Sequence, residues 1–171
     1  MTIRPNPYVD GELLELAELA RRFALERVAP GFVERDASRV LDRTLSEEMG
    51  ALGLIAPELP EAAGGQGASR VAAGVIHEEI AAADLSLSYV NLLGSLNAQI
   101  LADHGEPAVV DPWLHEITSG RAIAALGLTE PGGGSDAAAL SLRMERDGDH
   151  YVLDGEKTSI SAADQAEIAV V

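Results

Sequence analysis

The sequence predicts an α+β fold: an N-terminal all-α helical bundle over residues 1–120, followed by the opening strands of an antiparallel β-barrel-like domain over residues 121–171. Two observations support this prediction. Apolar residues recur at helical spacing through the first two-thirds of the chain, and at about residue 121 the period changes from that of a helix to that of a strand. Turn residues then divide the remaining segment into short runs.

Five helices are predicted in the first part. The first follows Asp10, a candidate N-cap, and Pro30 ends it. The second begins at a capping box formed by Thr44 and Glu47. The other three follow a loop rich in proline and glycine and are predicted at residues 69–83, 86–103 and 107–119. Because residues 86–103 are apolar on most faces, we expect that helix at the centre of the bundle.

The strands are predicted from alternation and from turn residues. A short apolar run at residues 122–128 opens the β part, and a hairpin turns at residues 147–149. A second turn at residues 154–155 precedes two further strands, at residues 157–161 and 167–171. Because the last apolar run stops without a turn or a cap, we expect its sheet to be completed by a further part of the chain or by a partner.

Composition excludes several classes of function. The 171 residues carry 12 Lys and Arg against 28 Asp and Glu, a net charge of −16, which disfavours binding to nucleic acid or to an anionic membrane surface. There is no cysteine, which excludes disulfides and Cys-ligated metals, and the four histidines are too scattered to predict a metal site. No targeting segment and no apolar run of about 20 residues is found, so we expect no membrane span and a cytoplasmic protein.

The densest group of polar functional groups lies in the loop at residues 126–136, LGLTEPGGGSD. Pro131 stiffens its entry, and the glycines at residues 132–134 permit positive φ and expose backbone N–H groups. Thr129 and Ser135 add hydroxyls, so the loop can donate several hydrogen bonds to a polar ring or a phosphate. Its spacing differs from that of dinucleotide and P-loop motifs. The residues alone therefore leave an ordinary surface loop equally open.

A second polar segment, DGEKTSISAAD, occupies residues 154–164. It carries the hydroxyls of Thr158, Ser159 and Ser161, and Lys157 is expected to be a cation on the surface of the strand. A strand with one polar face is the simpler interpretation of these residues by themselves.

Together the two segments resemble the acyl-CoA dehydrogenase family of flavoproteins. That family carries a T-E-P-G-x-G-S-D loop, a G-D-x-Y-V-L-x-G-x-K hairpin, a W-I-T/S tripeptide and a short strand. This chain has counterparts, in the same order, at residues 129–136, 148–157, 159–161 and 163–171. Earlier segments at residues 23–30, 49–54 and 60–67 resemble the family's first helix and its helix-plus-loop, so the resemblance covers nearly the whole chain.

The resemblance implies FAD as cofactor and an acyl-CoA thioester as substrate. Family members remove the α-proton of the thioester while flavin N5 takes a β-hydride. By position, the residues implied to bind FAD are Leu126, Leu128, Thr129, Gly134, Ser135, Ser159, Ile160 and Ser161. Ser135 is also implied to bind the substrate near its pantetheine arm. An electron-transfer flavoprotein or similar acceptor, and a homo- or hetero-oligomer, are implied as partners.

Two departures from the family pattern matter. Ser159 stands where the family usually has a Trp packed on the flavin, which removes a large stacking area and leaves room for a bulky acyl group. No catalytic base is identified, because the family's catalytic Glu lies in a C-terminal helical domain beyond these residues. Glu130, Asp136 and Asp164 are interpreted as carboxylates that bond within loops or face solvent.

The leading function is FAD-dependent α,β-dehydrogenation of an acyl-CoA thioester, with this chain as the N-terminal part of the enzyme and inactive alone. A non-catalytic subunit or interaction module without the base stays open, and the serine at position 159 favours it. A flavin monooxygenase or oxidase of the same superfamily also stays open. The intact loop at residues 126–136 favours the enzyme.

Overall fold

The computed structural model describes residue 9 and residues 11–171, and it confirms the α+β class. The helices are α1 Gly11–Phe23, α2 Phe32–Ser38, α3 Arg43–Ala51, α4 Arg70–Ala81, α5 Leu85–His104 and α6 Pro107–Thr118. A π-helical turn, Ala24–Val28, continues α1. The strands are β1 Ala124–Leu126, β2 Arg143–Asp147, β3 His150–Asp154 and β4 Ile168–Val170. Asp10, the predicted cap of α1, lies outside the described residues.

Helix α5 lies at the centre of the bundle, as predicted, and contacts α4, α6 and β1. The fully buried side chains of the core include Met49, Leu54, Ile55, Leu59, Ile76, Ile80 and Leu87. Burying one Leu or Ile side chain stabilises the fold by about 1.5–3 kcal/mol. A Cβ at Gly94 would lie 2.7 Å from Ile55 Cγ2, so the close approach of α5 to the loop after α3 requires glycine there. Within the described residues, no helix is both long enough and apolar enough to cross a membrane.

Side chains cap three of the helices. Ser69 accepts from Ala72 N at the start of α4, and Asp84 accepts from Leu87 N at the start of α5. The capping box predicted at Thr44 is wrong, because Asp42 caps α3 by accepting from the backbone N–H groups of Thr44 and Leu45. A carboxylate two residues earlier makes the same kind of bond, so the helix begins at Arg43 instead.

Helix α2 was not predicted. It is a seven-residue helix with no buried residue, so it shows no apolar period. Left-handed residues set its ends, with φ of 83° at Gly31 and 58° at Arg39. Tertiary contacts hold it instead: Arg35 donates to the carbonyl of Val28 and, at 3.0 Å, to Asp84 Oδ2.

The described strands form two separate pairs. The β2–β3 hairpin is antiparallel, with Asp147 opposite His150 and a left-handed Gly148 in the turn, as the sequence predicted. The β1–β4 pair is parallel, with Ala124 opposite Ile168, so the expectation that all strands are antiparallel is wrong here. The intervening residues 127–167 cross over before they return to β1, and a crossover of that length permits parallel pairing.

The strand predicted at residues 157–161 is also wrong. Ser159 has φ of 55° and Ala162 has φ of 59°, and these left-handed residues turn the chain away from an extended path. One backbone bond of the kind expected for a strand remains, from Thr158 N to Thr129 O at 2.9 Å. Residues 158–164 are therefore a series of turns, which we call the arch, and it begins beside the loop after β1.

Candidate functional site

The two polar segments singled out in the sequence lie side by side. The Thr158 N–H bonds the Thr129 carbonyl, and the Lys157 ammonium donates to Glu130 Oε1 at 2.8 Å and to the Leu128 carbonyl at 3.2 Å. These bonds join the loop at residues 126–136 to the start of the arch at residues 158–164. Thr158 approaches the loop through its backbone, which leaves the hydroxyls that follow it free to face outward.

Glu130 is the buried anchor of this arrangement. Its carboxylate accepts from Ser141 N at 2.6 Å, from Ser141 Oγ at 2.5 Å and from Leu142 N at 3.0 Å, in addition to Lys157. The bond from Lys157, and after it the bonds from Ser141 and Leu142, lower the pKa of Glu130 to about 2. A carboxylate this acidic does not take up a proton near neutral pH, which agrees with its interpretation as a loop-bonding group rather than a base.

Lys157 is not the surface cation that the sequence suggested. Its side chain is 12% exposed and lies against Glu130. A buried pair of this kind loses much of its stabilisation when one partner is removed, because the other charge is left without compensation. Lys157 therefore fixes the distance between the loop and the arch.

The glycines of the loop leave its outer surface open. Glu130 and Gly133 exchange both backbone hydrogen bonds in a tight turn, and the residues that follow are exposed. These glycines permit left-handed backbone, but none of residues 132–134 has a φ in that region. An added Cβ would meet nothing within 4 Å at Gly132 or Gly133, and at Gly134 it would lie 3.4 Å from Thr129 Cγ2. Packing inside the described chain thus gives little reason for glycine at these positions.

The remaining predicted site residues lie along the two segments. Leu126 ends β1 and is half-buried, while Leu128 is exposed and Thr129 partly buried. Gly134 and Ser135 are exposed in the loop. In the arch, Ser159 and Ser161 are exposed and Ile160 lies partly buried between them. The structure brings the two groups together at Thr129, and Ser161 lies furthest along the arch.

Ser161 also lines a cavity of about 720 Å³ between the helical part and the arch. The other walls come from the connection between α2 and α3, including Arg39 and Leu41, and from α5, including Tyr89. Gln165 also lines the cavity. Of the eight predicted cofactor residues, Ser161 is the one that reaches this cavity. Sequence reasoning missed the other wall residues, because α2 carries no apolar period that would place them.

Two of the charged residues around the cavity, Asp84 and Arg35, form an ion pair. Asp84 is 3% exposed, accepts from Leu87 N at 3.0 Å and pairs with Arg35 at 3.0 Å. Arg35 donates further to the Pro30 carbonyl at 3.1 Å and to that of Val28. Among the residues that the structure describes, no group of three or more His, Asp or Glu side chains is placed to hold a metal ion.

Comparison with known families gives matches along the chain. Residues 10–121 match the model of the acyl-CoA dehydrogenase N-terminal domain, and residues 125–171 match that of the acyl-CoA dehydrogenase middle domain.

Individual proteins match over the same range. Mitochondrial isobutyryl-CoA dehydrogenase of Dictyostelium discoideum is 33% identical over 99% of this chain and 41% of its own length. A crystal structure of glutaryl-CoA dehydrogenase from Mycobacterium smegmatis superposes with a TM-score of 0.87 and 31% identity, over 97% of this chain and 43% of that one. A glutaryl-CoA dehydrogenase of that organism in complex with FADH2 has a TM-score of 0.87 and 28% identity, over 95% of this chain and 42% of that one. The chain thus spans less than half the length of these proteins.

Proposed function

Because the chain belongs to the acyl-CoA dehydrogenase family, we propose that the whole protein carries out FAD-dependent α,β-dehydrogenation of an acyl-CoA thioester and that this chain forms one wall of the flavin site. The observation that supports this most is the hydrogen bond from Thr158 N to Thr129 O at 2.9 Å. It joins the two segments that we propose for the flavin, and the exposed hydroxyls of Ser135, Ser159 and Ser161 lie on them.

The residues present fit a flavin. The polar edge of the isoalloxazine ring consists largely of acceptors, and this surface offers donors. Within the described chain the N–H groups of Gly132, Gly134 and Ser135 donate to no protein acceptor, and the hydroxyls of Ser135 and Ser161 are exposed. The loop's missing side chains let a planar ring approach the backbone. The proposed flavin contacts are Leu126, Leu128, Thr129, Gly134, Ser135, Ser159, Ile160 and Ser161.

When bound, FAD supplies the acceptor for the β-hydride. The chain's own residues bind and orient the cofactor and the substrate. The loop amides and the Ser135 hydroxyl donate to polar atoms of both, and the Ser161 hydroxyl, in the arch, donates to the cofactor. The Glu130–Lys157 pair holds these two surfaces at a fixed separation, so the donors are arranged before the ligand binds. We propose no base among the described residues, since Glu130 is ionised and already accepts four hydrogen bonds.

The decisive experiment is FAD binding by the full-length protein. We expect the purified protein to show a visible flavin spectrum and to be stabilised by added FAD. Gly134→Ala should weaken FAD binding at least about tenfold without loss of thermal stability, because its Cβ meets only an ordinary contact inside the chain. Gly74→Ala, which adds a methyl group that would meet nothing within 4 Å, is the control and should bind FAD like the wild type.

Turnover separates the remaining alternatives. We expect acceptor reduction by an acyl-CoA panel in the presence of a dye. FAD binding without any turnover would favour the non-catalytic subunit instead, and a protein that binds no FAD would contradict the proposal.

We also propose an electron-transfer flavoprotein or similar acceptor as partner, an oligomeric assembly, a cytoplasmic location and a division of the chain into domains at residues 1–120 and 121–171. Sedimentation and cell fractionation test the assembly and the location.

A further inference from the structure

Gln165 connects two segments that are far apart in the sequence. Its side-chain Oε1 accepts from Leu41 N at 2.8 Å, and its Nε2 donates to the Arg39 carbonyl at 3.2 Å. One amide side chain thus pairs with both backbone groups of the connection between α2 and α3, across separations of 124 and 126 residues. We propose that Gln165 is a positioning residue that fixes the arch, and with it Ser161, at the wall of the cavity.

Arg43 reinforces the same connection. Its guanidinium donates to the backbone carbonyl of Gln165 and, through Nη1, to Glu167 Oε2 at 2.8 Å. The same Glu167 oxygen accepts from Ile123 N at 2.8 Å, and Glu167 N donates to the Ile123 carbonyl at 3.0 Å. The chain immediately after the arch is therefore tied both to the start of α3 and to the residue before β1.

The backbone on both sides of this contact is strained. Arg39 has φ of 58°, and in the arch Ser159 has φ of 55° and Ala162 has φ of 59°. Each is a residue with a Cβ in the left-handed region, a conformation that costs free energy and persists only where the surroundings determine it. Gln165 contacts two of these three residues: its side chain donates to the Arg39 carbonyl, and its backbone N–H donates to the Ala162 carbonyl at 3.0 Å.

The cavity lies between the two connected segments. Arg39, Leu41, Ser161, Ala162 and Gln165 all line it. The other end of the arch is held by Lys157 against Glu130, so the arch is tethered on both sides of Ser161. Releasing Gln165 would free one tether and let the Ser161 hydroxyl move relative to the loop. The consequence for the flavin rests on the proposed function, whereas the connection itself does not.

The test uses the full-length protein and two readouts. Gln165→Met removes both hydrogen bonds at nearly constant volume, and Gln165→Glu keeps the acceptor for Leu41 N but loses the donor. In the FAD-free protein, we expect Gln165→Met to speed amide exchange at Leu41 and proteolysis within residues 158–164. With FAD as the probe, we expect its dissociation constant to rise about fivefold or more and the visible flavin band to shift. Gln165→Glu should recover part of each effect.

Gln66→Met is the matched control. Gln66 Nε2 also makes one hydrogen bond to a backbone carbonyl, that of Gly53 at 2.6 Å, on a part of the surface that does not line the cavity. It should lower stability slightly and leave FAD affinity, the flavin band and exchange at Leu41 unchanged. Faster exchange in Gln165→Met with unchanged FAD affinity would overturn the positioning role, as would unchanged exchange. If the wild type binds no FAD, the proposed function fails, and exchange and proteolysis alone decide whether Gln165 fixes the arch.

Discussion

Replacing Lys157 by Met should expose how much the loop and the arch depend on one ion pair. The substitution keeps most of the apolar stem and removes the ammonium, which is 2.8 Å from Glu130 Oε1. A hydrogen bond to a charged group contributes about 1.5–3 kcal/mol, and breaking a buried pair costs more. Three donors from Ser141 and Leu142 still solvate the carboxylate. We therefore expect the loss of Lys157 to lower the free energy of unfolding by about 2 kcal/mol, or about 4–8 °C in Tm.

The effect has a pH dependence with a definite sign. The pKa of Glu130 is lowered from 4.5 to about 2, chiefly by the bond from Lys157, so the pair stabilises the fold fully above pH 4.5. As the pH falls towards 2, Glu130 becomes protonated and this stabilisation is lost. Urea unfolding of wild type and Lys157→Met between pH 7 and 2.5 should give a constant difference above about pH 5 that shrinks in acid.

An exposed ion pair supplies the control. Arg121 pairs with Glu116 at 2.7 Å, and both side chains are more than two-fifths exposed. Solvent screens such a pair, so Arg121→Met should change stability far less than Lys157→Met. If the two variants lose equal stability, or if the loss in Lys157→Met is the same at every pH, burial and ionisation of Glu130 are not what stabilises the site.

Three further predictions concern single positions. Asp84→Ala removes both the cap of α5 and the partner of Arg35 and should cost about 3 kcal/mol in urea unfolding, whereas Asp84→Asn, which keeps the cap, should cost less. Equal losses in the two variants would mean that the cap contributes nothing, and no loss in Asp84→Asn would mean that the ion pair contributes nothing. Gly120→Ala should lower the free energy of unfolding by more than about 2 kcal/mol, because φ is +75° and the Cβ would lie 2.0 Å from the Ser46 carbonyl oxygen. Thermal unfolding measures this, and an unchanged Tm would refute the close contact. Ser159→Trp should lower the free energy of unfolding by about 1 kcal/mol, because a bulky residue is strained at φ of 55°. It should also reduce turnover of bulky thioesters more than turnover of straight-chain ones, and equal losses on both would contradict the argument that Ser159 leaves room for a bulky acyl group.

The helices that could be predicted are those whose apolar period and cap agree. Ser69 and the apolar residues after it define α4 from the sequence alone, and the structure places the cap there. The start of α3 could not be chosen correctly, because Asp42 and Thr44 are both good caps and only the backbone turn decides between them. Helix α2 could not be found at all, because it buries no residue and depends on Arg35 contacts made by distant parts of the chain.

Some features of the site could likewise be predicted from the sequence, and others could not. The loop and the arch were identified from the sequence because their residues resemble a known motif in order. The burial of Lys157 and the bridge made by Gln165 could not be predicted, because each depends on a partner far away in the sequence that no local pattern specifies. The turn at Ser159 could not be predicted for a different reason. Alternating polar residues favour a strand, and a serine, unlike a glycine, does not indicate left-handed backbone.

The parallel pairing of β1 with β4 has a consequence for the order of folding. Closing residues 127–167 into a loop costs about 3 kcal/mol of chain entropy, which the contacts between β1 and β4 offset only after they form. Strand β1 already packs on α5, so the helical part can assemble first and present β1 as a template. We expect β4 to dock late, after the transition state has formed around the helices. Pulse-labelled hydrogen exchange can follow this at Gly127 N, which donates to the Val170 carbonyl at 2.7 Å and should become protected in the last kinetic phase.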